Sequence, residues 1–86
     1  MPEISRFLGI VITMYFNDHN PPHFHVRYEE HRARIGIRPL ELLDGWLPAR
    51  VLGLVIEWAN LHSDELMGNW NSLAGAGTFR RIAPLT

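Results

Sequence analysis

Histidine and arginine crowd into one short part of this chain. Between Asn17 and Tyr28 stand His19, His23 and His25, with Asp18 ahead of them and Pro21-Pro22 between, and Arg27, Arg32, Arg34 and Arg38 follow closely. Three chemistries are open to such a set. Two imidazoles at i and i+2 on a strand point to one side, and with His19 and Asp18 from the loop before they would supply a three- or four-ligand shell of nitrogen and oxygen. His23 and His25 are also candidate catalytic acids or bases for RNA cleavage or phosphate-ester transfer, with guanidinium groups at hand to hold the phosphate and no metal required. Neighbouring arginines disfavour the imidazolium, which suits a base better than an acid. Finally, Arg27, Arg32, Arg34 and Arg38 form an anion-attracting strip on which Tyr15 would add a stacking surface for a base. The planar arginine fork matches carboxylate and phosphate alike, so an acidic protein fits this strip as well as RNA does. A purely structural reading stands beside these: Asn17, Asp18 and Asn20 form turns, the prolines stiffen the loop, and the imidazoles hydrogen-bond its backbone. It accounts well for the prolines and poorly for four outward arginines.

These side chains act together only if strands align them. From Phe7 to Phe16, alternation places Leu8, Ile10, Ile12, Met14 and Phe16 on one side and Phe7, Gly9, Val11, Thr13 and Tyr15 on the other, which reads as one long first strand. Pro21 and Pro22 lack amide donors and keep the next loop out of any helix or ladder. His23–Tyr28 is the second strand, with Phe24, Val26 and Tyr28 inward. Arg32–Arg38 is the third, with Ala33, Ile35 and Ile37 inward. A two-residue turn at Glu29-Glu30 would set Arg27 opposite Arg32 and His25 opposite Arg34. Like charges facing each other cost roughly 0.2–1 kcal/mol per pair, so this register asks for a counter-charge. Such turns prefer glycine or asparagine, and a longer loop with shifted register is the alternative.

Leu40–Leu43 reads as a short fourth strand before Asp44-Gly45, and Pro48 as the first residue of a helix. A continuous helix from Pro48 to Ala74 would be ~40 Å long, more than a domain of this size is wide. Ser63-Asp64-Glu65 resembles a fresh N-terminus, so a break or kink is expected near His62-Ser63; otherwise the second half projects onto another chain. Trp58 and Trp70 lie on the apolar arc as core or dimer anchors, Glu57 belongs in water, and Thr78 to Ile82 is expected to return as a short last strand.

The whole chain bounds these readings. At 86 residues and 47% hydrophobic composition, one core uses most of the sequence and a single domain over 1–86 is expected. With no cysteine, disulfides and thiolate metal sites are out, and no cofactor is called for. The longest apolar run is about half of the ~20 residues that a membrane span needs, and no cleavage site follows it, so a cytoplasmic protein without membrane contact is expected. A formal net charge of -1 gives no general pull toward nucleic acid; the local concentration of arginine matters more.

Asn20-Pro21-Pro22-His23-Phe24-His25-Val26, with Ile4-Ser5-Arg6-Phe7, Leu47-Pro48, Ile56-Glu57-Trp58, Leu61-His62, Glu65-Leu66 and Asn69-Trp70, resembles the small bacterial family catalogued as domain of unknown function 4160. The resemblance covers nearly the whole chain. It implies no established reaction, and it implies a toxin–antitoxin-like setting beside a second small protein. Where many relatives have glycine after the strand-two tyrosine, this chain has Glu29, and Gly75-Ala76-Gly77 with Arg80-Arg81 replaces a more lysine-rich ending. Together these readings predict an α+β domain: a three- to four-stranded antiparallel meander, a long or kinked C-terminal helical segment on one face, and a short final strand. A homodimer or a complex with a small partner protein is expected, through an anionic partner, acidic protein or RNA, on the histidine and arginine face.

Overall fold

The first corner of the chain is a tight turn at Leu8-Gly9, inside the stretch whose alternation suggests one long strand. In the computed structural model, which describes residues 2–86, β1 (Glu3–Phe7) and β2 (Ile10–Thr13) pair antiparallel with Phe7 opposite Ile10. Leu8 and Gly9 both take positive φ, 52° and 78°, as the commonest two-residue hairpin turn demands. Gly9 does so freely, whereas Leu8 meets the steric penalty of any L side chain there. The expected strand from Phe7 to Phe16 is therefore a hairpin. Phe7 turns inward, its ring 5.6 Å from that of Trp58, while Leu8 and Phe16 are exposed.

Three more strands, β3 (His23–Tyr28), β4 (His31–Ile37) and β5 (Leu40–Gly45), complete a five-stranded antiparallel meander in the order β1-β2-β3-β4-β5. The count exceeds the expected three or four because of the extra hairpin. The Glu29-Glu30 turn is tight, with Glu29 at φ 55°, and the register sets Arg27 opposite Arg32 and His25 opposite Arg34, as the pattern predicts. At the end of β5, Gly45 has φ 88°, and a Cβ there would lie 2.2 Å from the carbonyl oxygen of Arg32, so no other residue fits.

Alternation buries Ile10, Ile12, Phe24, Val26, Ala33, Ile35 and Ile37 on one face of the sheet. Each large side chain so buried contributes on the order of 1.5–3 kcal/mol. Two helices cover that face, α1 (Ala49–Leu61) and α2 (Ser63–Ala74), through Val51, Val55, Trp58, Leu66, Trp70 and Leu73. The helical segment breaks at His62 (φ -120°, ψ 26°), and Asp64 and Glu65 occupy the first turn of α2. An unbroken helix would outrun the molecule, whose longest dimension is 34 Å. No helix among the described residues is long and apolar enough to cross a membrane.

The segment after Gly75 does not form the expected last strand. Ile82 N–H bonds to the Ile4 carbonyl at 2.8 Å, but side chains hold most of the tail. Ser5 Oγ donates to the Ile82 carbonyl, Trp58 Nε1 to the Ala83 carbonyl, and the Asn69 amide bonds both the N–H and the carbonyl of Arg80. These side chains take the backbone groups that a ladder would have paired. The tail thereby runs beside β1 and leaves β5 as the bare edge of the sheet.

Candidate functional site

The sheet face turned away from the helices carries Val11, Thr13, His25, Arg27, Arg32 and Arg34, and with Tyr15, Glu3 and Asp44 it encloses a concavity of about 230 Å³. Of the four arginines expected on this face, two are already answered. Arg34 grips Asp44, its partner across the β4–β5 ladder, through Nε at 3.0 Å and Nη2 at 2.6 Å. This contact holds the Asp44 carboxyl below its usual range and raises the Arg34 pKa further. Arg38 leaves the face altogether, because the turn after β4 sends its side chain to Ser63 Oγ and the carboxylate of Asp64 at the start of α2. Arg27 and Arg32 remain. They are directly opposed, both exposed, and neither has an ion-pair partner among the described residues.

At the other end of β3 the histidines are held differently. His23 is only 1% exposed, with Trp70 from α2 against its ring at 5.2 Å between centroids. Its Nδ1–H donates to the Pro21 carbonyl at 2.7 Å, which assigns the tautomer because a carbonyl can only accept. His25 lies half-covered beside Tyr15, with ring centroids 4.2 Å apart, and donates from Nε2 to Asp18 Oδ2 at 3.1 Å. Asp18 Oδ2 is also 3.1 Å from His23 Nε2, while its Oδ1 accepts the His19 backbone N–H at 2.7 Å. His19 itself is exposed and stands outside this cluster, whose three ligand atoms all lie within 4.8 Å of one another. A catalytic role for His23 would need a ring nitrogen at the surface, and its ring is enclosed. His25, at the rim of the concavity, is the accessible one of the pair.

Burial lowers the pKa of His25 below the ordinary histidine value, the Asp18 hydrogen bond opposes this, and the charges of His23 and Arg34 add to the lowering. For Asp18, burial raises the pKa, but the His25 hydrogen bond, the His19 backbone N–H and the two imidazoles together bring it below the usual carboxylate range. His25 is therefore a neutral ring beside an ionised carboxylate at neutral pH.

The sequence reading missed the acids of this face. Asp44 and Glu3 are not among the candidates that the residue pattern singles out, yet both line the concavity. Regular alternation of β4 against β5 would set Leu43 opposite Arg34; the register shift between Arg34 and Ile35 brings Asp44 there instead, and no local pattern announces it. Trp46 was missed too; it is 59% exposed and sits edge-on to His31, next to Arg32, its N–H bonded to the Arg32 carbonyl at 3.0 Å.

Residues 9–71 match the model of a family described as a domain of unknown function, DUF4160. No curated protein and no solved structure matches the chain. The chain belongs to the DUF4160 family, and the matched span runs from the β1–β2 turn through most of α2.

Proposed function

We propose that this protein is a binding module that holds an acidic segment of a small partner protein against its open sheet face, in the manner of the toxin–antitoxin-like pairs suggested by its family resemblance. The observation that carries this reading is the opposed pair Arg27 and Arg32, left without counter-ions while Arg34 and Arg38 are neutralised within the fold. The uncompensated pair costs roughly 0.2–1 kcal/mol, and an incoming carboxylate relieves it. The volume favours a side chain over a larger ligand, since about 230 Å³ is below the ~300 Å³ at which ordinary small-molecule pockets begin. Glu3 and Asp44 line the same concavity and Arg34 is paired to Asp44, so the free positive charge is confined to Arg27 and Arg32, which favours a localised carboxylate over a phosphate chain running across the face. Exposed Trp46 beside Arg32 adds the aromatic and arginine combination that dominates protein interfaces.

Binding of a fluorescent glutamate-rich peptide, followed by anisotropy at several salt concentrations, tests this. The peptide should bind the full chain, weaken with salt, and lose its affinity in the Arg27→Ala, Arg32→Ala double variant. Peptide binding indifferent to the double substitution would remove the reading. Preference for a single-stranded RNA of equal charge would replace the protein partner with a nucleic acid, and self-association lost in the same variant would make the partner a second copy.

A further inference from the structure

We propose that His23 Nε2, His25 Nε2 and Asp18 Oδ2 form a binding site for one divalent first-row transition ion, with zinc as the best match. The reason is an unsatisfied contact at a nitrogen that the fold encloses. His23 uses its Nδ1 proton on the Pro21 carbonyl, so in the neutral ring Nε2 presents a lone pair. That nitrogen is buried, has no hydrogen-bond partner among the described residues, and lies 3.1 Å from a carboxylate oxygen that also presents lone pairs. His25 Nε2 stands 3.1 Å from the same oxygen. With both rings neutral and His25 donating its Nε2 proton, the His23 contact is left open; a cation at the point where the three atoms converge satisfies both.

Both imidazole-to-carboxylate spacings agree with a coordination shell, and all three donor atoms lie within 4.8 Å of one another. Two donors at ~2.0–2.1 Å from a tetrahedral ion are about 3.3 Å apart, a few tenths of an ångström from the two 3.1 Å distances observed. The outer contacts are also those that metal-binding groups use. A ligating histidine ordinarily donates its other ring N–H to a backbone carbonyl or carboxylate, which fixes the tautomer, and His23 does this to Pro21. The carboxylate is aimed by the His19 N–H on its second oxygen. As Nε2 of His25 takes the ion, its proton passes to Nδ1 of the same neutral ring and none is lost. Imidazole and carboxylate donors without thiolate suit zinc, iron, cobalt and nickel; zinc accepts three protein donors with a fourth position for water or an anion.

Calorimetric titration of the full, untagged chain with zinc chloride tests the site. One equivalent should bind, and Asp18→Asn and His25→Ala should each weaken it by about tenfold or more, while His19→Ala and His31→Ala leave it unchanged. Independently of any variant's folding, imidazole nitrogen resonances of the wild-type protein should shift at Nε2 of His23 and His25 on adding one equivalent. Binding as tight in the Asp18→Asn and His25→Ala variants, or shifts confined to His19, His31 or His62, would overturn the assignment, as would no binding at all. Arg32→Glu should leave zinc binding intact, so this site and the partner surface fail separately.

Discussion

The two ends of β3 obey the same alternation and have opposite fates. At its start, His23 and His25 meet a loop carboxylate, a backbone carbonyl and a tryptophan from the last helix, and one ring nitrogen of each is bonded within the protein. At its finish, Arg27 faces Arg32 across the turn in open solvent with its charge unspent. A strand supplies only a direction for each side chain. What the later elements place in that direction decides whether the group becomes part of the fold or is kept for a partner.

That contrast can be broken by substitution. His23→Ala should be the most damaging change, destabilising the protein by about 2–4 kcal/mol in urea denaturation, because it opens a cavity against Trp70 and strips the Pro21 carbonyl of its donor. A cost below that of an ordinary surface substitution would mean that this end of β3 is as loosely held as the other. Arg32→Glu should act the other way. It turns a repelling cross-strand pair into an attracting one and should stabilise the fold by about 0.2–1 kcal/mol while abolishing capture of an acidic peptide. Lost stability together with lost binding would show that Arg32 has a structural partner.

The smallest expected effect is at the rim. The Arg6 hydrogen bond, opposed by partial burial and helped by Arg81, lowers the Glu3 pKa from 4.5 to about 2. A carboxylate with a depressed folded pKa stabilises fully above its unfolded value and loses that contribution as pH falls from about 4.5 toward 2. Acid unfolding of Glu3→Gln should lack that part of the pH dependence. Because these groups are exposed, the difference should shrink further in high salt. An identical acid transition in the variant would show that Glu3 contributes nothing to holding the tail.

Much of the sheet was legible before any coordinates. Phe24, Val26, Ala33, Ile35 and Ile37 announce the buried face, and the two residues between Tyr28 and His31 are enough to oppose Arg27 to Arg32 and His25 to Arg34. The helix break was legible as well, since Ser63-Asp64-Glu65 supplies the acidic first turn and length alone forbids continuity. The Leu8-Gly9 corner was not, because leucine is a poor residue for positive φ and only one glycine marks the turn within a strongly strand-like run. Nor was the last strand correctly anticipated, since Ser5, Asn69 and Trp58 bond the tail's backbone from three different elements.

Local pattern by itself determined the α+β class, the face on which the imidazole and guanidinium groups of β3 and β4 stand, and the loop carboxylate available to them. It did so because side-chain direction in a strand follows from near neighbours. Only the tertiary structure decided that Arg34 is spent on Asp44, that Arg38 is drawn away to α2, that Trp70 encloses His23, and that Arg27 and Arg32 are left over. Charge compensation and burial depend on groups brought from far along the chain, and no short-range periodicity carries that information.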